Sequence, residues 1–425
     1  MVSLLLDNVI GVSFLYSYND RSSKLAYTYL SIVFVMNIVA QFLLIYFIGR
    51  MHISGKILKE KMLNSLKILM FISLIVVGFS IFYLIIDMFS SDSYSPLVLT
   101  FISAYELAVS MIMIGALIST LLLWLKRRFN LTVFLYLMAF TVFLVATVSA
   151  FLTLMQELQG RTSAVSPEPN PWDISSIRKS IFYDVYRISS FTSFGLVWLA
   201  TSLLLKNYTA KSTRKLGKWK FWLLASLPLI YYILSFDVII NNIVTFILDY
   251  PFLRNLIIYL FAGTKQVGGF FFALSFFFMS RHVENTNLKN YLILSAVGIM
   301  MLFSSLQITV VYLVPYPPFG MITLTVMPIS YYVVLIGLYY SARSLTYDKE
   351  LLLKLAKRIR MESDSFLSDI GSAEWSRNLE STVNQVMKQN LDKLESEDVN
   401  SDISAENIKN YVLEVIEEIK DKKSF

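Results

Sequence analysis

Two ionisable side chains stand where charge is expensive. Lys265 lies in LFAGTKQVGG at 260–269 and Glu106 in FISAYELAVS at 101–110, each inside a run of otherwise apolar residues. A charge near the middle of a membrane costs at least about 2.5–3.5 kcal/mol on insertion scales, so each should face protein or water and find a partner. An ammonium and a carboxylate at similar depth offer three chemistries. They can form an ion pair that fixes helix packing, or bind a substrate, ion or proton in passage, or support an imine at the lysine with the carboxylate as counter-ion. Ser103 and Ser110, three residues before and four after Glu106, extend a polar stripe on its face. Around Lys265, the small residues Ala262, Gly268 and Gly269 let a neighbouring helix come close. Asp184 and Arg187 are spaced as an i,i+3 pair, and Asp237 and Gln307 are further candidates for one intramembrane polar network.

These residues need helices long enough to hold them in a bilayer. The chain has 425 residues, 56% of them hydrophobic and 16% charged; soluble domains carry about 25% charged residues. The mean hydropathy is +0.60. Apolar blocks of membrane-spanning length alternate with short basic or polar strings, without the period-2 pattern of strands. The expected fold is all-α, a polytopic membrane bundle of nine spans over 26–49, 66–89, 97–125, 131–156, 182–206, 219–241, 253–280, 288–314 and 319–341. Pro228 is a kink point in the sixth. Helical rise puts Lys265 about 18 Å and Glu106 about 14 Å from the outer ends of their spans, so Glu106 is the expected partner of Lys265.

Loop charge sets the orientation. Lys/Arg residues crowd the loops after spans 1, 3, 5 and 7, as in Arg50, Lys56 and Lys59, or Lys126, Arg127 and Arg128. The loops SSDSYSP at 90–96 and PYPPFG at 315–320 have none. The N-terminus is therefore expected outside and the C-terminus in the cytoplasm. Residues 1–25 lack the basic n-region of a cleaved signal. The longest outer loop, 158–181, contains SAVSPEPNPWD, a proline-rich connector or cap.

Several function classes fall away on composition. With no cysteine and only His52 and His282, disulfides, thiolate sites and multi-histidine metal sites are not expected. No catalytic constellation, cofactor motif or metal cluster is found, so the reading is non-enzymatic and without a cofactor. Basic residues are spread over membrane loops rather than gathered in one patch, which points to a lipid bilayer and not to nucleic acid.

A lysine in the seventh span opposite a carboxylate in the third, in an N-out bundle, resembles the layout of microbial rhodopsins. That likeness implies a retinal Schiff base at Lys265 with Glu106 as counter-ion. The chain departs from the family at Phe261, where an aspartate precedes the lysine, and at Ser103, where the pumps have arginine. Span 6 offers Pro228 and Tyr231 without the family's tryptophan pair, and two spans follow the seventh.

Character changes after residue 341. Residues 1–341 carry 24 Lys/Arg against 13 Asp/Glu, and 342–425 carry 13 against 17. The division expected is a membrane bundle at 1–341 and a cytoplasmic helical tail at 342–425. A first tail helix from about Thr346 stops at Gly371, and a second runs from Ala373 to Leu394. In the last helix Ile408, Tyr411, Val412, Val415, Ile416 and Ile419 share one face. Such a stripe needs a partner: other tail helices, a second copy, or another protein. The stretch ESDSFLSDIGSAEWSRNLESTVNQVMKQ at 362–389 resembles a segment in a group of uncharacterised multi-pass membrane proteins of ammonia-oxidising archaea. The likeness implies an archaeal cell membrane and no particular activity. The functional classes left are a receptor or sensor with a tail for protein interaction, a transporter or ion pathway using Glu106 and Lys265, and a retinal-type photoreceptor.

Overall fold

Long apolar segments in lipid must satisfy their backbone polar groups internally, and helices do so. The computed structural model describes residues 24–51, 61–159, 180–208, 218–234, 263–281, 283, 285–305, 318, 320–347 and 366–377. Its elements are α1 Lys24–Met51, α2 Lys61–Ser91, α3 Pro96–Arg127, α4 Leu131–Leu158, α5 Ile181–Tyr208, α6 Lys218–Leu234, α7 Thr264–Arg281, α8 Thr286–Ser304 and α9 Met321–Tyr347. A further helix, α10, occupies 366–377. Among the described residues there is no strand.

Seven of these helices are long and apolar enough to cross a membrane, the exceptions being α6, α7 and α10. The described part of α6 has 17 residues, and that of α7 has 18 and carries Lys265 and Arg281. Spans 6 and 7 were expected to continue into 235–262, and span 8 into 306–314. Those stretches, with Asp237 and Gln307, lie outside the described residues. The helix starts follow local chemistry. Pro96 opens α3 at a position whose N–H has no helical partner. Asn130 caps α4, its side chain accepting from Thr132 N at 2.8 Å and Val133 N at 3.2 Å. Asn285 caps α8 in the same way.

Helices adjacent in sequence pack side by side from α1 to α6, and α7 bridges α5, α6 and α8. The last span, α9, is the inner one. It lies mainly against α8 and α3 and also touches α1 and α2. Inside the bundle 94% of its span is buried, against 28% for α2. The outward faces of α1 and α2 instead expose Val35, Phe42, Phe47, Ile75, Phe79 and Phe82. An apolar belt of that extent is a lipid face.

Small residues set how closely the inner helices approach. A Cβ on Gly298 of α8 would lie 2.8 Å from Val334 N, and one on Gly337 of α9 would lie 2.6 Å from Ser295 N. The expected small face of span 7 behaves likewise. A Cβ at Gly268 would lie 2.5 Å from Phe194 Cζ, and one at Gly269 would lie 2.9 Å from Phe303 Cβ. That closeness lets Phe194, Phe272 and Phe303 form an edge-to-face cluster with ring centroids 4.7–5.9 Å apart.

The last span, α9, runs on through residue 341 to Tyr347. The tail differs from its sequence reading at Gly371, which does not stop a helix, because α10 continues from 366 to 377 across it. Its lack of a side chain serves packing instead: a Cβ there would lie 3.0 Å from Leu345 Cβ on α9. The outward face expected at Ile408, Tyr411, Val412, Val415, Ile416 and Ile419 lies outside the described residues.

Candidate functional site

Glu106 sits on the buried face of α3 with Ser103 and Ser110, in the order the sequence implied. The carboxylate is 3% exposed. Its Oε1 accepts a long hydrogen bond from Ser73 Oγ of α2 at 3.4 Å, and its Oε2 has no hydrogen-bond partner. Ser103 Oγ donates to the Leu99 carbonyl at 2.7 Å, while Ser110 Oγ is buried without a partner.

Two hollows meet at this carboxylate. One is lined by Glu106, Ser103, Ser110 and Thr147, with Leu107, Phe151 and Leu324 among its apolar walls. The other is lined by Glu106, Ser73, Gln41 and Thr325 among apolar neighbours. Each has room for about one water molecule. Beside the second, Asn37 Nδ2 and Gln41 Nε2 of α1 donate to Thr325 Oγ1 of α9 at 3.0 and 3.5 Å. The centre is thus a single carboxylate held where α2, α3, α4 and α9 converge. Hollows of this size admit a water, a proton or a small ion and exclude an organic substrate.

Lys265 is placed elsewhere, and the expected ion pair with Glu106 does not form. Its Nζ donates to Tyr186 OH of α5 at 2.9 Å and lies 5.2 Å from the centroid of that ring. The cause is helix placement rather than depth. The lysine's helix packs on α5, α6 and α8, whereas the Glu106 face of α3 looks toward α2 and α9. The counter-ion arrangement needed for an imine at Lys265 is accordingly not made by Glu106. An aromatic wall stands beside the lysine: Phe194 stacks on Tyr232 at 4.2 Å, and Tyr232 OH lies 3.2 Å from Ser190 Oγ. Asp184 and Arg187 do meet, at 3.4 Å, both well exposed at the start of α5.

A second constellation lies at the end of the bundle that carries Arg128. There α10 buries Phe366, Leu367, Ile370 and Ala373. Phe366 meets Tyr136 of α4 and Phe276 of α7, with ring centroids 6.3 and 6.2 Å apart. Two carboxylates tie the helix down. Asp369 pairs with Arg128 Nε at 2.5 Å and accepts from Asn130 Nδ2 at 2.7 Å. Glu374, fully buried, accepts from Trp124 Nε1 at 3.2 Å and lies 3.6 Å from Arg377. The Arg377 guanidinium in turn stands 5.8 Å from the Tyr339 ring of α9.

Sequence reasoning missed most of these partners. Ser73, Gln41, Thr325 and Thr147 are single polar residues in apolar helices, a common pattern that marks no site. Asp369 and Glu374 carried a readable signal: they sit five residues apart among Phe366, Leu367, Ile370 and Ala373, a polar edge on an apolar face. Among the described residues no cluster of three or more His, Asp or Glu could hold a metal ion. No family model, curated protein or solved structure matches the chain. Its helices and their lipid-facing surface identify it as a multi-pass integral membrane protein.

Proposed function

We propose that this chain is a receptor or sensor of the cell membrane that passes changes in its helix bundle to its C-terminal segment through α10. The observation that carries the reading is the seat of α10. It is wedged against α3, α4, α7 and α9 and anchored by Asp369 and Glu374. A shift of any of those helices alters the seat. Residues 378–425 follow directly, and their apolar stripe suits a cytoplasmic partner or a second copy. The basic loops support a cytoplasmic location for this end, and the likeness of 362–389 to archaeal membrane proteins supports an archaeal cell membrane. The reading assigns the chain no catalytic step.

The test uses the cysteine-free sequence. Ser368, 4% exposed on α10, is replaced by cysteine in the full chain in membrane vesicles, and its rate of maleimide labelling is measured. Asp369→Ala should raise that rate several-fold by releasing the helix. A coupled bundle should also change the rate when Glu106, about five turns along α3 from Trp124, is replaced by glutamine. A rate indifferent to Glu106→Gln would remove the coupling on which the reading depends. A second reading, an ion or proton pathway, is favoured by the buried, half-partnered carboxylate of Glu106. On that reading, flux into vesicles persists after deletion of 348–425.

A further inference from the structure

We infer that the hollow between α3, α4 and α9 is a sodium site, with Glu106 as its charged ligand. The inference does not depend on whether the chain signals or transports. Two residues that line this hollow each carry a buried oxygen without any hydrogen-bond partner: Glu106 Oε2 and Ser110 Oγ. In a protein interior such orphans are rare, since leaving one unsatisfied costs about 1–3 kcal/mol. A ligand that accepts lone pairs from both resolves them together.

The other hydroxyls on the wall make the ordinary bond of a helical Ser or Thr to the carbonyl four residues back. Ser103 Oγ donates its proton to the Leu99 carbonyl at 2.7 Å, and Thr147 Oγ1 donates to the Phe143 carbonyl at 3.0 Å. Their protons point into the helices, which leaves only lone pairs for the hollow. Four side chains thus offer oxygen acceptors to one small space, the donor set a hard cation takes. Charge decides the valence. One carboxylate balances one positive charge, whereas a divalent ion would leave a net charge uncompensated in an apolar surround. Lys265 is engaged by Tyr186 and does not compete. Size then favours sodium: the space holds about one water molecule, and a bare sodium ion is smaller than that.

The experiment is a thermal-unfolding series on the purified full chain, in sodium, potassium or an organic-cation chloride at equal ionic strength. A ligand that binds only the folded state stabilises it in proportion to ln(1 + [L]/Kd). The expected result is a saturable rise of the midpoint with sodium, absent in Glu106→Gln and shifted about tenfold higher in sodium concentration in Ser110→Ala. Sodium titration calorimetry on the same three proteins gives an independent readout if Glu106→Gln folds poorly. A rise produced equally by potassium or the organic cation overturns the assignment. So does a midpoint that responds to pH but not to sodium, which would mean that the carboxyl holds only a proton.

Discussion

Glu106 and Lys265 make separate energetic contributions in this bundle. A stability cycle of Glu106→Gln, Lys265→Met and the double variant should be additive to within about 0.5 kcal/mol, because the two groups share no partner. Chemical unfolding of the purified protein measures it. A coupling of 1 kcal/mol or more would restore the direct pair. The contact that Lys265 does make gives a second expectation. Tyr186→Phe removes the hydroxyl that accepts from Nζ while keeping the ring beneath the ammonium, so it should cost about 1 kcal/mol. The isolation of both charges in apolar runs was legible in the sequence, because burial of charge is costly wherever it falls. Their partners were not legible. Depth follows from counting residues along a span, but the neighbour a side chain meets depends on helix rotation and on which helices adjoin. Ser73 and Tyr186 are unremarkable letters until that packing is known.

At the scale of the helix, glycines divide into those that permit an approach and those that permit nothing in particular. Gly337→Ala would drive a methyl against the Ser295 backbone, and Gly298→Ala would do the same against Val334. Backbone cannot yield as a side-chain tip can, so each should destabilise by about 1–3 kcal/mol. Gly115→Ala and Gly195→Ala meet no atom within 4 Å and should be neutral or slightly stabilising, since alanine is the better helix former. Unfolding midpoints of the four variants separate the classes. The same distinction explains the misreading of Gly371. A glycine after an amphipathic run signals a helix end, yet the residue is equally suited to a close crossing, and only the position of Leu345 decides between them. Helix ends marked by Asn130 and Pro96 were recoverable because their chemistry is local.

For the molecule as a whole, seven of the spans read from hydropathy are helices of membrane-crossing length, but their arrangement was not visible. Nothing in the composition of α9 distinguishes an inner helix from an outer one, since lipid and protein interior select similar residues. Its position has a consequence for biosynthesis. The helix that fills the centre is the last of the described spans to leave the ribosome. Until it arrives, α1, α2, α3 and α8 can enclose only lipid or one another, so the order of synthesis runs opposite to the order of burial. A chain ending before Met321 should insert into the membrane yet fail to assemble, and pulse-chase should find it degraded much faster than the full protein. The closing of α1, α2, α3 and α8 around a common centre thus waits on α9, whereas α4 with α5 and α7 with α8 can already pack without it.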